Sequence, residues 1–167
     1  MNRMLKKLTV LAATLAVMGV VMVGLSATIF AQTSDQDAIK AEVQAAASQL
    51  GLALNTSDGE LFDTLWLHSD EVTYFSATQP FRIEGWPDVK GPFAGLLGLP
   101  AGKVTHVTRQ ETIDMISDDV ALSTGHFILT IRPPGASTIT LNGRFTAILK
   151  NIDGTWLRVH MHTSLLP

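Results

Sequence analysis

Asp153-Gly154-Thr155-Trp156-Leu157-Arg158-Val159-His160-Met161-His162-Thr163-Ser164 is the stretch on which the reading of this chain turns. Asp-Gly is a tight-turn signal, and the aromatic and β-branched residues after it favour an extended strand. Strict alternation puts Trp156, Arg158, His160, His162 and Ser164 on one face, and Leu157, Val159, Met161, Thr163 and Leu165 on the other. The second row is the more apolar, so it is expected to face a core. His160-x-His162 has a metal-ligand spacing, but the chain has no cysteine, and His68, His106 and His126 stand at no metal-type interval. No metal and no cofactor are therefore expected. The two imidazoles are read as satisfied by neighbours on the outer face of a sheet, at a subunit contact.

Three further strands precede this one, over Lys103 to Ile116, Val120 to Arg132 and Thr138 to Lys150. Ser117-Asp118-Asp119, Pro133-Pro134-Gly135 and Asn151-Ile152-Asp153-Gly154 separate the four as turns. In the third of them Phe145, Ala147 and Leu149 oppose Arg144, Thr146 and Lys150, so its odd-numbered side is the core side. Upstream the period becomes helical. Ser34 is placed to cap a helix with Ile39, Val43, Ala46, Ala47 and Leu50 at helical spacing, ending near Asn55. Ser57-Asp58-Gly59-Glu60 has capping-box spacing before Leu61, Phe62, Leu65 and Trp66. A strand follows within Glu71 to Ala77, and a short helix starts near Pro87 or Pro92 and stops before Gly98 and Pro100. Helices first and an antiparallel meander afterwards make an α+β domain with helices on one face.

The other end of the chain is an export signature. Arg3, Lys6 and Lys7 precede an uncharged run from Leu8 to Ala31, where a small residue offers a cleavage site before polar Gln32-Thr33-Ser34-Asp35. Residues 1–31 are thus expected to be a signal peptide and residues 32–167 a single domain, exported to the periplasm or the extracellular space. The alternative is an uncleaved anchor, since about 20 apolar residues also span a bilayer. The formal net charge is −3, and loss of the three signal cations makes the remainder more acidic, which argues against nucleic-acid binding.

The order of these elements, with Asp153-Gly154-x-Trp156-x-x-Val159-His160-x-His162-x-Ser164, Gly143-Arg144-Phe145-Thr146, Asp119-Val120-Ala121 and Glu84-Gly85, resembles the nuclear transport factor 2-like superfamily. Within it the chain is similar to SnoaL-like proteins and to the association, or hub, domain of calcium/calmodulin-dependent protein kinase II. The resemblance implies a cone-shaped α+β fold, with N-terminal helices packed on a strongly curved antiparallel sheet. It also implies a conical pocket on the concave face and dimerisation through the convex one. Alternation then assigns Phe127, Leu129, Phe145, Ala147, Val159, Met161 and Thr163 to the pocket, with Phe62, Trp66 and Tyr74 from the helical side. Arg144, Trp156, Arg158, His160 and His162 fall on the oligomer interface.

Where the hub relatives present arginines, this chain aligns Phe127, Ala147 and Thr163, with Arg109 as a partial substitute on a neighbouring strand. Many SnoaL-like relatives have an acidic residue at the position of Met161. The expectation is therefore an exported, non-catalytic domain that homo-oligomerises into a dimer or larger ring through its sheet and takes a small apolar ligand or a protein partner. A ketosteroid-isomerase or polyketide-cyclase type of enzyme is the first alternative, with Asp63, Asp70, Tyr74 and His106 as candidate acid-base groups. A membrane-tethered interaction module is the second.

Overall fold

A computed structural model describes residues 35–167. The signal peptide, the anchor alternative and the Ser34 cap lie outside the described residues. The described residues fall into two units, residues 35–39 and Lys40–Pro167. The first is helical, and everything below concerns the second.

In that unit α1 occupies residues 40–56 and buries Val43, Ala47, Leu50 and Leu54, three or four residues apart as a helix stripe demands. The next helix, α2, spans Gly59–Thr64. Its N-cap is Asp58, whose carboxylate accepts from the Leu61 amide at 2.9 Å, and not Ser57. Ser57 is unsuited because it takes a positive φ of 56°, a turn conformation, on leaving α1. α3 covers Trp86–Leu97, with proline in its first turn and Gly98 as its C-cap.

Six strands form one sheet: β1 (Thr73–Phe75), β2 (Ile83–Glu84), β3 (Val104–Ser117), β4 (Val120–Ile131), β5 (Ile139–Ile152) and β6 (Thr155–Leu165), in the order β2-β1-β6-β5-β4-β3. The four long strands make the expected antiparallel meander. The sheet as a whole is mixed rather than antiparallel, because β1 runs parallel to β6. β2, a two-residue edge strand, was not signalled by any periodicity.

Three register shifts interrupt the meander, one of them beside the β3–β4 turn between Met115 and Ser117; the other two shape the inner face. On β3, Arg109 pairs with His126 and Thr112 with Thr124, so Gln110 and Glu111 together face Gly125, and Gln110 has a φ of 51°. On β6, His160 pairs with Ile148 and Arg158 with Leu149, which leaves Val159 as an extra residue. The second bulge marks a change of neighbour. The amide and carbonyl of Arg158 bond the loop after α2, to Leu65 O at 2.9 Å and from Leu67 N at 3.0 Å, whereas His160 onward pairs with β1. One extra residue in a strand reverses which face its later side chains meet.

The centre of β4 and β5 carries two glycines, each crossed by an aromatic ring from the other strand. Gly125 pairs with Phe145 and Gly143 with Phe127. A Cβ on Gly125 would lie 2.9 Å from the Phe145 ring, and one on Gly143 would overlap Phe127 and sit 2.5 Å from Ser164 O. Both rings therefore lie flat over bare backbone on the inner face. A second aromatic cluster closes the α2–α3 end, where Phe62 contacts Phe93 at 4.8 Å and Trp66 at 6.1 Å, and Phe93 stacks on Tyr74 at 5.2 Å.

Candidate functional site

Between α1, α3 and the inner face of the sheet lies a cavity of about 200 Å³. Its walls are mostly apolar: Leu50 and Leu54 of α1, Pro92, Phe93 and Leu96 of α3, and Phe127, Leu129, Phe145, Ala147 and Met161 of the sheet all line it. Polar groups enter at two places. Tyr74 and Thr163 meet on one wall, hydroxyl to hydroxyl at 3.1 Å, and Thr163 Oγ1 also accepts from the Ala77 amide at 2.9 Å. Elsewhere His106, Glu111, Ser123 and Arg158 share the lining.

The bulges are what create this second group. Before its bulge β3 sends His106 and Thr108 inward; after it, Glu111 takes the inward place that alternation assigns to Gln110. On β6 the extra Val159 puts Trp156 and Arg158 on the same side as Met161 and Thr163, and all four are buried. Arg158 is only 3% exposed. Its Nη2 donates to Ala47 O on α1 at 2.6 Å, while its Nε has no partner among the described residues. Burial pulls the guanidinium down to about 10, and the Glu111 carboxylate works in the opposite direction, so Arg158 is a cation at neutral pH.

Glu111 is held on both oxygens: Ser123 Oγ donates to one at 2.7 Å and Gln44 Nε2 to the other at 2.6 Å. His106 is bracketed by Asn55, which accepts from its amide at 2.6 Å and donates to its carbonyl at 3.2 Å, tying the end of α1 to β3. Its ring lies parallel to Phe127, 12° from coplanar at 6.0 Å. Burial first, and the Arg158 charge second, hold the imidazole down at about 4, so it is neutral at pH 7. A buried cation, a half-buried carboxylate and a neutral imidazole in a mostly apolar cavity are a costly combination for stability alone. Such groups give a ligand charged and neutral hydrogen-bond partners away from water.

Seven of the ten residues read as pocket-forming line the cavity: Tyr74, Phe127, Leu129, Phe145, Ala147, Met161 and Thr163. Phe62 and Trp66 do not; both are fully enclosed in the aromatic cluster behind Phe93. Val159 is displaced from the lining by its own bulge. Of the residues read as an oligomer interface, Arg144 and His162 are exposed, and His160 is half-buried with its Nδ1 2.7 Å from Thr73 Oγ1. Trp156 and Arg158 are corrected: both lie inside, because the bulge inverts the first half of β6. Arg109 is exposed and off the cavity, so the guanidinium there is that of Arg158. Among the acid-base candidates Tyr74 and His106 reach the cavity. Asp63 instead receives Lys90 Nζ at 2.8 Å, and Asp70 is exposed.

Glu111, Ser123 and the inward turn of Arg158 escaped the sequence reading. One signal was available. Trp156, a large apolar ring, stood in a row assigned to the outside, a conflict that a bulge between Trp156 and Met161 resolves.

The family model described as a SnoaL-like domain matches residues 43–167. No curated protein matches the chain. Among solved structures it is similar to a protein described as a scytalone dehydratase from Novosphingobium aromaticivorans, with 15% identity, TM-score 0.70, and coverage of 80% of this chain and 89% of that one. It is similar to a calcium/calmodulin-dependent protein kinase II association-domain protein from Xanthomonas campestris at 21% identity and TM-score 0.64, over 75% of this chain and 86% of that one. The hub homology domain from Chlamydomonas reinhardtii follows at 22% identity and TM-score 0.60, over 77% and 98%. Helices, meander, mixed sheet and family match agree, and the chain belongs to the SnoaL-like domain family, with the fold of the nuclear transport factor 2-like superfamily.

Proposed function

We propose that this is an exported, self-associating domain that binds a small, mostly apolar molecule in its cavity. The observation that carries the binding reading is the cavity itself: about 200 Å³ with walls of Leu, Phe, Met and Ala side chains. A cavity of about 150 Å³ lined this way holds a benzene-sized guest, and apolar burial contributes roughly 25 cal/mol per Å². Export is supported by the Met1 to Ala31 pattern, and self-association by the likeness to association domains together with an outer sheet face that presents Arg144 and His162. Native mass spectrometry of the purified full chain is the test. A retained mass on a dimer or larger ring supports the reading; a ligand-free monomer that takes up no hydrophobic probe removes it. Edman sequencing of exported protein tests the signal, with a start at or near Gln32 expected and an intact Met1 in the membrane fraction overturning it.

A second reading, an isomerase, cyclase or dehydratase, is favoured by the Glu111 carboxylate on the cavity wall in company with neutral His106 and cationic Arg158. It stands second because Ser123 and Gln44 each donate to a Glu111 oxygen and so hold the carboxylate in place, and His106, held down at about 4, is a weak base. Hydrogen-deuterium exchange at the α-carbon of an added ketone separates the two: exchange that vanishes in Glu111→Gln establishes catalysis, and absence of exchange with bound ketone leaves binding alone.

A further inference from the structure

We propose that Arg158 and His106 form a recognition pole for a neutral ligand oxygen, a ketone, aldehyde, lactone or amide carbonyl, carried by an apolar body. The inference rests on the binding reading above and specifies the chemistry of its ligand. Arg158 is the starting point. Its Nη2 is engaged by Ala47 O and its Nε is enclosed without a partner among the described residues, so Nη1 is the nitrogen left to donate to a ligand in the cavity that the side chain lines. The side chain lines the cavity, and one of its nitrogens is anchored on Ala47 O, which fixes the rest in place.

His106 is the second donor. Its Nδ1 is buried without a partner among the described residues beside Gly51 of α1, where a Cβ would stand 3.4 Å from that nitrogen. The nitrogen left to meet a ligand is Nε2. A neutral ring that keeps its proton on Nε2 buries only a lone pair at Nδ1, which costs less than burying an N–H. Neutrality follows from the imidazole's fall to about 4 beside Arg158.

Charge decides between a carbonyl and a carboxylate. Among the described residues Glu111 and Arg158 are the two charged side chains of the lining, one of each sign, so the cavity is balanced before any ligand enters. A carboxylate would bury a second negative charge with no cation of its own and would face Glu111. A carbonyl oxygen accepts from Arg158 and His106 and leaves the balance intact. The apolar walls then exclude water from both hydrogen bonds.

Three probes of nearly one shape test this: α-methylstyrene, acetophenone and benzoate, titrated calorimetrically into the full chain. Acetophenone is expected to bind at least tenfold more tightly than α-methylstyrene and than benzoate. In Arg158→Met the ketone advantage over the alkene should disappear while α-methylstyrene still binds. Should that variant fail to fold, Arg158→Met/Glu111→Gln removes both charges together, and His106→Phe should narrow the advantage on its own. Tightest binding by benzoate, or equal binding of ketone and alkene by wild type, overturns the carbonyl pole and leaves the apolar cavity standing. No binding of any probe overturns the cavity reading and the pole with it.

Discussion

β5 and β6 are hydrogen-bonded neighbours, yet they treat their side chains differently. β5 alternates without interruption from Leu141 through Phe145, Ala147 and Leu149, every inward residue being apolar. β6 changes parity at Val159, so Trp156 and Arg158 come inward beside Met161 and Thr163. β3 does the same at Gln110, bringing Glu111 inward. Within one sheet, the regular strand supplies wall and the two irregular strands supply the cavity's charges. One extra residue per strand turns Arg158 into a buried charge and Glu111 into a half-buried one on the cavity wall.

The largest effect should come from removing the irregularity itself. Deletion of Val159 makes β6 regular, and either Trp156 and Arg158 turn outward or the pairing with the loop after α2 is lost. We expect a loss of more than about 4 kcal/mol, read as failure to give a cooperative urea transition. A deletion that folded with native stability would show that the bulge does not hold the inward half of β6. Trp156→Asp should for the same reason unfold the subunit, since the ring is buried rather than at an interface.

Acid should be next. The unfolded chain takes up a proton at His106 near 6.5, the folded chain only near 4, so the folded state is favoured above pH 6.5 and progressively less favoured as the pH falls. Across that window the loss approaches about 3 kcal/mol. Urea midpoints at pH 7, 5.5 and 4 should show it, and His106→Phe should flatten the slope; an equal slope in the variant would assign the acid sensitivity elsewhere.

The regular strand is tested at its glycines. Gly143→Ala meets both the Phe127 ring and the Ser164 carbonyl and should cost about 2–3 kcal/mol. Gly125→Ala meets chiefly the Phe145 ring edge, which can turn aside, and should cost about 1 kcal/mol. Thermal melts that reverse this order would contradict the flat packing of Phe127 on backbone. The smallest stability effect belongs to the outer face: Arg144→Glu should leave folding within about 0.5 kcal/mol, since the side chain is exposed. Sedimentation of that variant should nonetheless show weakened self-association, and unchanged assembly would move the contact to another surface.

Periodicity and turn chemistry were enough to read the four meander strands to within one or two residues, the helices before them, and the inward row of β5. They determine these because burying one face of a strand or helix requires apolar residues at a fixed interval, and Asp-Gly or Pro-Pro-Gly between such runs permits few other chain paths. Alternation along the sheet also gave Phe127, Leu129, Phe145, Ala147 and Met161 of the apolar wall, whereas the part supplied by Leu50 and Leu54 of α1 and by Pro92, Phe93 and Leu96 of α3 depends on how those helices pack on the sheet. The charges were decided by tertiary structure. Whether Arg158 points in or out depends on β6 exchanging one neighbour, the loop after α2, for another, β1, at a single residue. Whether Glu111 enters depends on Gly125 across the ladder leaving room for two residues opposite one. Neither condition is local. A bulge is a compromise between two partners of a strand, and its position is fixed only when both partners are packed in place.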